Sequence, residues 1–227
     1  MRTAVLQNSA YTYTLSLYLK KNVMKVLLLV DIQNDFMPGG ALAVPEGDLI
    51  IPVVNSLQSQ FDLVMATQDW HPASHKSFAS NHEGKNPFEM TELLGLPQVL
   101  WPDHCLQGTS GADLAPALEA NKIEAIFRKG TNPDIDSYSG FYDNGRLKST
   151  GLADYLRGKG VMQLYLAGLA ADYCVYYSAI DALQEGFETF VIENAIRAIS
   201  QESYAAARND IQEKGGKIIQ SSDLLAN

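Results

Sequence analysis

The sequence has little of what would tie it to a membrane, to nucleic acid or to the outside of a cell. Cysteine is nearly absent: 227 residues contain Cys105 and Cys174 and no others, too few for the disulfide framework of a small secreted domain. Free thiols fit a reducing compartment, so a cytoplasmic location is expected. Long apolar runs are missing too, and none approaches the ~18–20 residues that cross a bilayer. Basic residues are sparse: 17 Lys and Arg stand against 26 Asp and Glu, for a net charge of −9. That balance argues against nucleic acid or anionic membrane as the main partner, because both demand a concentrated basic footprint. There is no internal repeat and no low-complexity tract.

What is present is a chain long enough for one substantial core in a single domain. A domain of this size buries roughly 70–75% of its unfolded surface and needs no disulfide or metal to hold it. Apolar, β-rich runs recur as KVLLLV (25–30), DLVMAT (62–67), IEAIF (123–127), MQLYLA (162–167), FETFVI (187–192) and KIIQ (217–220). Helical patterns lie at roughly 47–60, 111–120, 149–159, 172–185 and 200–214. Runs without polar alternation are expected to be buried on both faces, and their alternation with helices points to βαβ units. The expected fold is therefore α/β: a central, mostly parallel six-stranded sheet flanked by helices on both faces.

Residues 1–23 carry Arg2, Lys20 and Lys21 but no acid. Their basic pair follows the apolar stretch, the wrong order for a secretory signal. They are expected to be a dispensable extension, with Met24 as the working start and the folded domain spanning 24–227. The interval from Thr67 to Ile123 is too long for a simple crossover, and long loops in compact domains usually serve function.

Parallel sheets of this kind bind ligands beyond the carboxyl ends of their strands. The residues found there form a chemically suggestive set. DIQNDF after the first strand brings Asp31, and QDWHPASH after the second brings Asp69, His71 and His75. RKGTNP after the third brings Lys129, and GLAADYC after the fourth brings Cys174 at the start of a helix. Each has an ordinary reading. Cys174 could be a packed core thiol, Asp31 a strand-end cap and Lys129 a solvated charge. Together they could be a nucleophile, its general base and a cation beside the sulfur. A free thiol near pKa 8.5 would have to be lowered by about two units to ionise at neutral pH, and a helix terminus plus an ammonium can supply that order of energy.

Asp69 and His71 lie two apart, so an extended segment points both the same way. With His104 from WPDHC they offer an O,N,N donor set that suits Zn²⁺, Fe²⁺ or Mn²⁺ without choosing among them. A hydrogen-bonded Asp–His pair is the ordinary alternative. His75 could be a further ligand or a surface residue; His82 has no support beyond its type, and Cys105 is read as packing. Phe36, Trp101 and Tyr138 lie in loops near these motifs and could wall a small flat pocket.

At these residues the sequence resembles a known family. LLLVDIQNDFMPGGALAVPEGD, TQDWHPASHKSFASNH, WPDHCLQGTSGADL, FRKGTNPDIDSYSGFYDN and GLAADYCVYYSAIDALQEGF are similar to the nicotinamidase/pyrazinamidase motifs, in the same order. That family belongs to the isochorismatase-like cysteine hydrolases, and the resemblance spans about residues 24–223. It implies a triad on Asp31, Lys129 and Cys174, and one divalent metal ion (Zn, Fe or Mn) on Asp69, His71 and His104, with His75 the position to suspect for a further ligand. It also implies a cis peptide at Leu169–Ala170 and an oxyanion hole formed by the N–H groups of Ala170 and Cys174. Ala171 departs from the family, where Thr is common before DYC. The implied activity is hydrolysis of nicotinamide, and of pyrazinamide, through a thioester. A carbamoyl or ureido amidase of the same superfamily is the rival enzyme, although such relatives generally lack the metal site. A non-catalytic binding protein on the same fold is the rival of a different class. Homo-oligomerisation is left open.

Overall fold

The computed structural model describes residues 24–225. Residues 1–23, expected to be dispensable, lie outside the described residues. Six strands form one sheet: β1 (Lys25–Val30), β2 (Leu63–Asp69), β5 (Ile123–Lys129), β6 (Gln163–Leu169), β7 (Glu188–Arg197) and β8 (Lys217–Ile219). Their order is β5-β2-β1-β6-β7-β8, and every pairing within the sheet is parallel. The strand order therefore reverses between β1 and β6. In open α/β sheets the ligand crevice opens at such a switch point, beyond the carboxyl ends.

β1 is apolar throughout because it lies between layers. Val26, Leu28 and Val30 pack with Met65, Leu164, Leu166 and the helices α2 (Leu152–Gly158), α3 (Cys174–Gln184) and α4 (Gln201–Glu213). Leu27 and Leu29 face the other way and pack with α1 (Ile51–Leu57) and with loop residues such as Leu42, Trp101 and Leu118. The period of two along a strand sends neighbours to opposite faces, so a doubly covered strand reads as unbroken hydrophobicity. A short C-terminal helix, α5 (Ser222–Leu225), follows β8.

Three features differ from the sequence expectation. The helix expected at 111–120 does not form. Pro116 lacks an N–H and disfavours a helical conformation in the residue before it, and the chain instead runs beside the segment after β1, where Asn34 N–H donates to Asp113 O and Ala115 N–H to Ile32 O. The long interval after β2 contains an antiparallel hairpin, β3 (Met90–Leu93) and β4 (Leu96–Val99), that no strand run announced. β2 and β5 also continue further than their apolar runs, so that Asp69 and Lys129 are the last strand residues and pair in register.

Candidate active site

Asp31 immediately follows β1 and turns into the left-handed region, with φ of 48°. Its backbone N–H donates to Thr67 Oγ1 at 3.2 Å, and that hydroxyl donates to Asp31 Oδ1 at 2.6 Å. Thr67, on the neighbouring strand, thus fixes the carboxylate and leaves Oδ2 facing Lys129. The Lys129 ammonium is 2% exposed and sits among four acceptors. Asp31 Oδ2 is at 2.9 Å, Asp69 Oδ1 at 3.0 Å, Ser137 O at 2.9 Å and Cys174 Sγ at 3.4 Å. An ammonium has three protons. Asp69 Oδ1, Ser137 O and Cys174 Sγ accept them, and Asp31 Oδ2 is held as a close ion pair.

Cys174 opens α3, after the N-cap Tyr173 and a cis peptide at Leu169–Ala170. Its sulfur lies within 4.8 Å of carboxylate oxygens from both Asp31 and Asp69. Here the structure departs from the expectation of a lowered thiol. Burial pushes Cys174 well up, Lys129 opposes, and the charges of Asp31 and Asp69 push it further. Burial also raises Asp31, with Lys129 only partly offsetting it, whereas Lys129 is raised well above its ordinary value because its anionic neighbours outweigh the cost of burial. The resting arrangement is a neutral thiol beside a carboxylate of increased basicity, both held by a permanent cation. Among the described residues, no backbone acceptor takes the N–H of Ala170 or Cys174.

Asp69 at the end of β2, His71 just beyond it and His104 further along the long interval converge. His71 Nε2 is 3.1 Å from Asp69 Oδ1, and His104 Nε2 is 3.5 Å from Asp69 Oδ2. Each imidazole is pinned from behind, Nδ1 of His71 against Gly130 O at 3.0 Å and Nδ1 of His104 against Pro102 O at 2.8 Å. A carbonyl can only accept, so both Nδ1 atoms carry the proton and both Nε2 lone pairs aim at the carboxylate. Such an array is repulsive until a cation joins it. One donor atom from each of the three side chains lies within 4.8 Å of the other two, close enough for a single ion to join them. Backbone carbonyls behind the ligating histidines are the usual outer partners of a metal site. Without an ion, a proton on His71 would meet the same demand: burial disfavours its charge, but contact with Asp69 outweighs that and raises its pKa, while His71 and Lys129 hold Asp69 well below the carboxylate range despite burial. The donor set fits a divalent metal.

His75 is placed differently. Its Nδ1 faces Ser77, 2.7 Å from Oγ and 3.2 Å from the N–H, while its buried Nε2 has no hydrogen-bond partner among the described residues. It stacks edge-on to His71 with ring centroids 4.4 Å apart and groups with His71 and Asp136 rather than with the Asp69 set. His82 bonds the Lys76 carbonyl away from these groups, and Cys105 is a fully buried free thiol.

A small pocket joins the two clusters. Asp69 and His104 line one part and Ala170 and Cys174 another, while Phe36, Trp101 and Tyr138 form walls. Sequence reasoning missed several residues here. Tyr173 also lines the pocket, its ring 4.9 Å from Trp101; an aromatic just ahead of the helix-opening cysteine was the available signal. Asp136 lines it as well, accepting from Ser137 N–H and Gln98 Nε2. Gln33 and Thr67, which brace Asp69 and Asp31, carried no signal beyond being polar in buried stretches.

A parallel sheet with a buried cysteine at a helix start and a buried aspartate at the switch point defines a class, and the sequence match agrees: the chain belongs to the isochorismatase domain family, matched over residues 25–223. Within that family it is 52% identical to the nicotinamidase of Escherichia coli (strain K12), over 78% of this chain and 84% of that protein. Its fold is similar to the nicotinamidase/pyrazinamidase structure from Acinetobacter baumanii, with a TM-score of 0.87, 46% identity, and coverage of 90% of this chain and 99% of that one. It is also similar to the pyrazinamidase of Pyrococcus horikoshii in complex with zinc, with a TM-score of 0.72, 40% identity, and coverage of 87% and 99%.

Proposed function

We propose that this protein is a nicotinamidase, hydrolysing nicotinamide to nicotinic acid and ammonia, with Asp31, Lys129 and Cys174 as its catalytic residues. The observation that supports this reading is the shared pocket, lined by the Cys174 thiol and by Asp69 and His104, which group with His71 as a donor set, between aromatic walls. A flat ring with a carboxamide on one side and a basic nitrogen on the other meets both. When bound by Asp69, His71 and His104, a divalent ion supplies a Lewis-acidic anchor for that ring nitrogen, the template role of a metal. Zinc is the ion of the Pyrococcus structure, and Fe²⁺ or Mn²⁺ suits the same donors.

The chain's own groups account for the chemistry. Cys174 Sγ attacks the carboxamide carbon while Asp31 takes the thiol proton, so the ionised sulfur never has to persist in a buried site. Lys129 keeps Asp31 placed and stabilises negative charge as it passes between oxygen and sulfur. The N–H groups of Ala170 and Cys174 are free to hold the tetrahedral oxyanion. Asp31 then returns its proton to the departing nitrogen, ammonia leaves, and the acyl group stays on sulfur as a thioester. Water, deprotonated by Asp31, attacks that thioester; nicotinic acid departs and the proton returns to Cys174.

The test is ammonia release from nicotinamide and from benzamide, which has the same shape without the ring nitrogen. Loss of that anchoring contact is expected to cost at least ~2–3 kcal/mol in the transition state, some 30–150-fold in kcat/KM. A strong chelator is expected to abolish the nicotinamide activity. Equal turnover of both amides, with activity surviving chelation, would favour the carbamoyl or ureido amidase reading; no turnover of any amide would favour a binding protein.

A further inference from the structure

Between Asp31 and Phe36, three consecutive polar side chains reach across to the segments that carry the metal donors. Gln33 grips the Asp69 peptide from both sides: its Nε2 donates to Asp69 O and its Oε1 accepts Asp69 N–H, each at 2.8 Å. Asn34 Nδ2 donates to Ser110 O at 2.7 Å. Asp35 Oδ2 accepts the backbone N–H of Cys105 at 2.6 Å.

Cys105 is where the two histidine segments meet. It directly follows His104, and its carbonyl accepts the His71 N–H at 3.0 Å. Its backbone is left-handed, with φ of 48°, a conformation that a residue with a Cβ keeps only when its surroundings impose it. The short bond that the Cys105 N–H donates to the Asp35 carboxyl is such an imposition. Its carboxylate lies flat against Gly111, where an added Cβ would stand 2.2 Å from Oδ2. Only glycine at 111 leaves it room. Next to Asp35, the Phe36 ring packs at 5.6 Å against the His104 ring.

We propose that Asp35 is a positioning residue for the metal centre: by fixing the Cys105 peptide it aims His104 and His71 at Asp69. The same short segment carries Asp31, so the base and the metal donors are held in one register. This inference rests on the metal reading above and adds the residue that sets the affinity.

The test uses the full-length protein stripped of metal, with zinc titrated in competition with a chromophoric chelator. Asp35→Ala is expected to weaken zinc binding by roughly 10–100-fold, the usual effect of losing an outer partner of a metal ligand, while alkylation of Cys174 by iodoacetamide keeps its rate. Asp35→Asn retains an acceptor oxygen and is expected to restore most of the affinity. Gly111→Ala displaces the carboxylate without altering Asp35, so it carries the test should Asp35→Ala fail to fold. It is expected to weaken zinc binding as well, and to add little to Asp35→Ala, since both break one contact. Unchanged zinc affinity in these variants, even with a lowered melting temperature, would reduce Asp35 to a structural role and overturn the inference alone. Failure of the wild-type chain to take up zinc would overturn the metal reading and this inference together.

Discussion

Cys174 and Cys105 are both buried thiols whose proton is held tightly, and what separates them is their neighbours. Burial drives both upward, and nearby carboxylates add to it in each case. Cys174 also has Lys129 at 3.4 Å, Asp31 at hand to take a proton, and an opening to the pocket. Cys174→Ala is therefore expected to keep the fold and metal content yet abolish nicotinamide turnover, while Cys105→Ala stays close to wild type in an ammonia-release assay. Substantial turnover by Cys174→Ala would exclude the thioester route. The raised Asp31 pKa sets a second expectation. Asp31 accepts a proton only when ionised, so kcat/KM should fall as pH drops through that raised value, above the range of a free aspartate. An acid limb at the ordinary carboxylate position would mean that Asp31 is not the group titrating. Asp31→Asn should be nearly inactive at every pH.

At the scale of elements, the site exists because four parallel strands end on the same edge. Asp69 and Lys129 are the last residues of β2 and β5, paired in register, and Asp31 and Cys174 follow the two strands that flank the reversal of strand order. The turn after β5 depends on Gly130. Its φ is +65°, and a Cβ there would meet His71 Cε1 at 2.3 Å and Nδ1 at 2.6 Å. Both the conformation and the space require glycine, because the Gly130 carbonyl is the partner that sets the His71 tautomer. Gly130→Ala is expected to cost about 1–3 kcal/mol in backbone strain and to displace His71, so that bound metal is lost while the sheet survives. Metal content and far-ultraviolet circular dichroism measured on one sample decide this; full metal occupancy would contradict it.

At the scale of the whole molecule, His75 contributes a pH dependence to stability. Burial first, then the neighbouring His71, lowers its pKa from 6.5 to about 4. The unfolded chain therefore binds this proton more readily than the folded one. That contribution to stability is full above pH ~6.5 and is lost as pH falls toward about 4, by on the order of 3 kcal/mol. Urea unfolding at pH 7 and pH 5 should show a larger drop for wild type than for His75→Gln, with equal drops arguing against a buried neutral His75. Among the described residues no helix is long and apolar enough to cross a membrane, in line with the absence of long apolar runs.

Much of this was legible in the linear chain because parallel α/β folds write themselves locally. β1 and the flanking strands read as apolar runs because both faces are covered, and Asp31, Asp69, Lys129 and Cys174 stood at strand ends where such sheets keep their ligands. What the sequence by itself determined was which reactive groups exist and on which edge they gather. The tertiary structure alone decided the rest. It buried the Cys174 sulfur and set Asp31 and Asp69 near it, which turned an expected lowering of the thiol pKa into a rise. It fixed the tautomers of His71 and His104 through the Gly130 and Pro102 carbonyls and set His75 edge-on against the His71 ring. It replaced the helix expected at 111–120 with an extended segment beside the residues after β1. Apart from the Ser77 and His71 contacts of His75 and the Pro102 carbonyl behind His104, each of these depends on partners 45 or more positions apart in sequence, and local periodicity carries no record of such contacts. Charge state and tautomer follow from distances of a few ångström between remote residues, and those distances exist only once the chain has folded.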